Sequence, residues 1–177
     1  MKKLLIILLT IFLSTMFFTG KITAQGLIVP SHVNYQLPYP GILPDNPLYF
    51  LKMIRDKIVG LLISDPLKKA EFDLLQSEKR TNAGFYLSKK GEFALSESTV
   101  SKGENYFDLA ISSVRQAEKQ GENVKNIVHT MTVSSLKQQE VIHSIEVELS
   151  KKQQTQFLKE EQRMINFRNV VKHVVGN

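Results

Sequence analysis

The side chains best spaced for chemistry in this 177-residue chain lie around His143. Glu140, His143 and Glu146 stand three residues apart, so a helix places one carboxylate a turn before the imidazole and one a turn after it, on a shared face. Imidazole nitrogen and carboxylate oxygen hold zinc and iron, and Glu-x-x-His is half of the ligand set in di-iron carboxylate bundles. The other half is not written here. Asn126 stands where a glutamate would precede His129, and Val170 where one would precede His173. The favoured reading is therefore a solvated helix face that needs no metal and no cofactor. Glu140, His143 and Glu146 remain the candidate ligands if a metal binds.

Other chemistries find less support. The chain has no cysteine and no G-x-S-x-G elbow, and no Ser-x-x-Lys with its companion motifs. Ser98 and Lys102 lie four apart, which on a surface helix reads as capping or solvation. Gly84, Gly91, Gly103 and Gly121 are dispersed, whereas a phosphate-cradling loop needs its glycines clustered. The expectation is a protein that is not an enzyme, with no catalytic residue.

The elements that would carry these residues are helices. Asp45-Asn46-Pro47 and Asp65-Pro66 each offer a capping side chain followed by proline in a first turn, where a missing N–H costs nothing. The first helix should run over 46–63 and bury a stripe of Leu48, Leu51, Ile54 or Arg55, Ile58 and Leu62, widened by Phe50 and Met53. The second, over 66–90, carries a small face of Ala70, Leu74, Ser77, Thr81 and Gly84, and Lys89-Lys90-Gly91 stops it. The third, over 92–120, buries Phe93, Val100, Phe107, Ile111 and Val114, with Gly103 marking a close contact or a bend. The fourth, over 122–149, has a polar and therefore less buried waist at Ser134, Ser135 and Gln138. A break near Ser150 separates it from a fifth helix over 153–174, the alternative being one continuous rod; the Lys151, Lys152, Lys159, Arg163, Arg168 and Lys172 of this last helix, interleaved with Glu160 and Glu161, read as a solvent face. The fold class is all-α: about five helices packed as antiparallel hairpins in a bundle.

Ahead of the helices lies a stiff, apolar arm. Pro38, Pro40 and Pro44 force extended backbone, and Gly41 is the point where it can turn. A solvated linker has no use for so many apolar residues, so the arm should dock on its own helices, burying Tyr39, Ile42 and Leu48. The aromatics Tyr35, Tyr39, Tyr49 and Phe50 read as core or anchor residues. The run LPYPGILPDNPLYFLK with the following DPLKKAE and the helical EKR at Glu78–Arg80 resembles the Domain of Unknown Function 5667 family, most strongly over residues 35–120. The Lys-His pair that the family often carries in its fourth helix reads Lys137-Gln138 here. The resemblance implies an exported helical fold and carries no activity.

The chain opens with Lys2 and Lys3, an apolar run from Leu4 to Phe18, and small or polar residues ending at Ala24. This is the grammar of a secretory signal over 1–24; the alternative is an uncleaved N-terminal anchor. An arm over 25–45 and a helical domain over 46–177 complete the organisation. Removing the signal takes away Lys2, Lys3 and Lys21 and no acid, so the formal charge falls from +6 to +3. That surplus suits an anionic envelope and is too small for nucleic acid. The partner expected is an envelope macromolecule, with a weak anionic-surface contact through the fifth helix as the sharper form. The function read from sequence is an exported, non-catalytic scaffold or macromolecule-binding module; the alternative is an extracytoplasmic metal- or ligand-binding sensor.

Overall fold

Proline, glycine and capping residues divide the described residues into five helices. The computed structural model describes residues 32–174, and among these there are no strands. Helix α1 spans Tyr49–Leu62, α2 Pro66–Lys89, α3 Phe93–Lys119, α4 Lys125–Glu146 and α5 Lys151–Val174. The signal expected over 1–24 and the first residues of the arm, 25–31, lie outside the described residues.

The helix ends follow local rules. Asp65 caps α2 by accepting the Lys68 amide at 2.8 Å, with Pro66 in the first turn. At α1 the cap differs from the sequence expectation. Asn46 accepts the Leu48 amide at 2.8 Å, while the Asp45 carboxylate pairs with Lys90 at 2.6 Å, and the helix starts at Tyr49. Gly91 takes φ 81°, which lets the Lys90 and Glu92 amides return to the Leu87 carbonyl and reverses the chain into α3. The expected break between the last two helices is present although neither glycine nor proline marks it. The Ser150 carbonyl accepts the Gln153 and Gln154 amides and so opens a new helix.

Two hairpins, α2–α3 and α4–α5, make the most extensive contacts, and they pack with α2 against α4 and α3 against α5. Small residues permit the close approach of α2 and α3 within the first hairpin. A Cβ on Gly84 would collide with the Val100 side chain, and one on Gly103 would lie 3.0 Å from the Ser77 carbonyl. The core is formed by Val100, Phe107, Ile111, Met131, Ile142, Phe157 and Met164, with the Phe107 and Phe167 rings stacked at 5.5 Å.

The waist of α4 is polar and yet fully buried, which corrects the expectation of exposure. Gln138 Oε1 accepts from Ser77 Oγ at 3.0 Å and Thr81 Oγ1 at 2.7 Å, and its Nε2 donates to Ser134 Oγ at 3.1 Å. A buried amide is tolerable when its hydrogen bonds are made. Here the small face of α2 supplies hydroxyls at the right height.

The arm docks, but with a different face. Tyr35 donates its hydroxyl to Glu78 at 2.6 Å, the Val33 amide donates to Glu140 at 2.7 Å, Asn82 donates to the Pro38 carbonyl at 2.9 Å, and Lys52 donates to the Pro40 carbonyl at 2.7 Å. Leu37 and Pro40 are the buried residues, whereas Tyr39 is 75% exposed and Ile42 is also exposed. Leu37 and Pro40 lie three residues apart, the period of a polyproline helix, with Gln36 and Tyr39 on the outward side.

Helix α1 reverses its expected orientation. Leu48 ahead of it, and Leu51, Ile54, Ile58 and Leu62 along it, are all exposed, as are Phe50 and Met53. The side turned toward the bundle is instead Tyr49, Lys52, Asp56 and Gly60, with Gly60 lying against the Phe72 ring. Among the described helices α1 meets only α2, and sparingly. The four longer helices close a core without it, so apolar periodicity alone did not determine which way it faces.

Candidate functional site

The middle of α5 carries two adjacent glutamates, and a 100° step per residue sends them to different neighbours. Glu160 turns to Glu104 on α3, and Glu161 turns to α4. Both are buried, Glu161 completely, which corrects the reading of α5 as a simple solvent face. Arg163 and Arg168 are also drawn inward: Arg163 reaches Glu104 at 3.2 Å and Asn105 at 2.6 Å, and Arg168 reaches Gln139 at 2.7 Å. Lys151, Lys152, Lys159 and Lys172 stay exposed.

On the α4 side three ligand atoms converge. His143 Nδ1 lies 3.3 Å from Glu161 Oε2 and 3.4 Å from Glu146 Oε2. The ligand atoms of His143, Glu146 and Glu161 all lie within 4.8 Å of one another. Glu146 is only 9% exposed, and its Oε2 has no hydrogen-bond partner. Burial, and then the Glu161 charge, raise the Glu146 carboxyl above the usual range, with His143 opposing them. The other Glu161 oxygen accepts from Gln139 Nε2 at 3.0 Å, and Arg168 holds the amide oxygen of that glutamine, so Glu161 is oriented from behind.

The sequence-derived trio is therefore split. His143 and Glu146 come together, away from the solvated face expected for them, whereas Glu140 points elsewhere. Glu140 accepts from Lys137 at 2.7 Å and from the arm at Val33. Burial alone would raise Glu140, but the Lys137 and Val33 hydrogen bonds outweigh it and hold the carboxyl low. Glu161 was missed because spacing along one helix does not register a partner across a hairpin. The signal available was its place in an otherwise apolar stripe, between Phe157 and Met164.

The second feature is the outward side of α1. Leu61 and Leu62 are more than three-quarters exposed, and Leu51, Ile54 and Ile58 continue the strip. Tyr39 and Ile42 of the arm line a shallow groove together with Leu51, Lys52 and Arg55, which joins the arm to this patch. Arg55 and Lys57 are exposed beside the strip, while the one acid of the helix, Asp56, is buried and paired with Arg55 at 2.7 Å. The proline and aspartate positions singled out in sequence serve folding here. Asp65 and Pro66 start α2, Asp45 ties the arm to Lys90, Pro38 and Pro40 offer carbonyls to Asn82 and Lys52, and Gly41 turns at φ 73°. Pro44 lies in a cleft with Tyr49 and Arg80, and Pro47 is exposed just ahead of α1. Of the aromatics expected in the core, Tyr35 and Tyr49 are partly buried, whereas Tyr39 and Phe50 are exposed.

Residues 41–166 match the family model described as Domain of unknown function (DUF5667), a span that reaches well into α5. No curated protein and no solved structure matches the chain.

Proposed function

We propose a function from two facts: the chain belongs to the DUF5667 family, and its first helix turns an apolar, cation-flanked side outward. The reading is an exported, non-catalytic helical module that rests on the anionic lipid surface of the envelope through α1. The observation that carries it is the reversal of α1, whose polar side meets the bundle and whose leucines and isoleucines face away. A monomer rarely leaves so large an apolar strip uncovered without a use for it. With Lys57 exposed, Arg55 exposed beside its Asp56 partner and no exposed acid, the helix has the composition of one that lies in a membrane interface. Its 14 residues give about 21 Å of length. Among the described residues no helix is long and apolar enough to cross a membrane, so the contact proposed is peripheral. The expected signal over 1–24 would deliver the module to that surface.

Sedimentation with vesicles tests this. The chain lacking residues 1–24 should pellet with anionic vesicles at low salt and less so with neutral ones. Leu51→Glu with Ile58→Glu should abolish pelleting while changing thermal unfolding little, because both side chains are more than half exposed. Failure of the parent to bind anionic vesicles at low salt would end the proposal, as would a double variant that binds as well as the parent.

A further inference from the structure

We propose that His143, Glu146 and Glu161 form a binding site for one divalent transition cation of the zinc type. The inference is independent of the membrane reading: it concerns the α4–α5 hairpin, away from α1. Three observations carry it.

The first is geometry. A tetrahedral ion with ligands at ~2.0–2.1 Å has ligand–ligand edges of about 3.3–3.4 Å. The His143–Glu161 and His143–Glu146 separations are 3.3 and 3.4 Å. A charge-assisted hydrogen bond would draw such atoms to about 2.7–2.9 Å. Two of the three ligand–ligand separations therefore match tetrahedral edges, and all three ligand atoms lie within 4.8 Å of one another.

The second is a pair of carboxylates set against one imidazole. Glu146 Oε2 makes no well-formed hydrogen bond, only a long contact of 3.4 Å to His143 Nδ1, and the Glu161 charge opposes its ionisation. A cation held among the three groups would neutralise both carboxylates. The third is outer support. Metal-ligating carboxylates are characteristically held by a further hydrogen bond, and Gln139 holds the distal oxygen of Glu161 while Arg168 fixes Gln139.

One nitrogen and two carboxylate oxygens suit zinc, and three protein ligands leave a fourth position for water. His143 is partly exposed, which gives the ion a way in. Glu140, the other carboxylate three residues from this histidine, takes no part because the arm and Lys137 occupy it.

Calorimetric titration of the metal-free chain with zinc chloride tests the site. One equivalent should bind, with a matching rise in Tm. His143→Ala and Glu161→Gln should each weaken binding by more than the ~10–100-fold that loss of an outer partner costs. Glu140→Gln should leave the affinity unchanged. His143 is partly exposed, so its variant should stay folded, and circular dichroism of both variants verifies that. Absence of stoichiometric zinc binding by the parent overturns the proposal. So does binding that survives His143→Ala, or binding that is lost in Glu140→Gln while Glu161→Gln retains it.

Discussion

Glu104 gives the most quantitative handle on this bundle. It sits on α3 with no exposure, and its neighbours are Glu160 and Arg163 of α5. Burial, then the Glu160 hydrogen bond and charge, push its carboxyl from 4.5 up to about 11, with Arg163 opposing. Arg163 lies 3.2 Å away and is partly exposed, so its charge is shared with solvent, while Glu104 has none to share. Burial therefore biases Glu104 toward its neutral form, with the Arg163 charge opposing. The sign follows from linkage. A carboxyl whose folded value is raised favours the native state fully below the unfolded value of 4.5, and that contribution is lost progressively as pH rises from there toward about 11. Each pH unit in this window costs on the order of 1 kcal/mol, so raising the pH from about 5 to about 7 removes on the order of 2–3 kcal/mol. Against a typical domain stability of ~5–15 kcal/mol this is a large fraction. Glu104→Gln keeps the shape and an acceptor for Arg163 but cannot ionise. Guanidinium unfolding followed by circular dichroism, at several pH values in this range, should show parent stability falling relative to the variant as pH rises. Parallel stability–pH curves for the two proteins would refute the reasoning, because Glu104 would then be ionised in the bundle.

Two further outcomes follow from contacts described above. Gly84→Ala puts a methyl group against Val100, whose branched side chain has little freedom in a packed helix pair. Overpacking should outweigh the gain in helix propensity and lower stability by about 1–2 kcal/mol in urea unfolding. Tyr35→Phe removes the hydroxyl that donates to Glu78, so the arm should lose a bond worth about 1–3 kcal/mol, seen as faster amide exchange over residues 33–40 with the α2–α3 hairpin still protected.

Much of the architecture was legible because its determinants are local. Asp65-Pro66 and Lys89-Lys90-Gly91 fix helix ends through hydrogen bonds made within a few residues, and the stripe from Val100 to Val114 has one face to bury. What escaped depends on choices between distant surfaces. Helix α1 has an apolar side, but Lys52 bonds the Pro40 carbonyl of the arm and Gly60 lies against the Phe72 ring, which leaves the leucines outside. Ser134, Ser135 and Gln138 looked exposed because their type is polar, yet Ser77 and Thr81 of another helix meet Gln138. Within the candidate site, His143 and Glu146 were visible as a spacing. Glu161 became their partner only when the turn at 147–150 folded α5 back along α4.

The two hairpins carry a consequence for the order of assembly. Each is closed by a short turn and cemented by contacts between neighbours in sequence, so each is a unit of low contact order. The seam between them is different in kind: at Ser77, Thr81 and Gln138 it depends on hydrogen bonds whose geometry exists only once both units are formed. Docking of preformed hairpins should therefore be the slow, selective step, with the buried amide acting as a registration mark that rejects slipped pairings. The arm, bonded to Glu78 on one hairpin and Glu140 on the other, can close only over a correctly registered seam and so acts as the latch on the finished bundle.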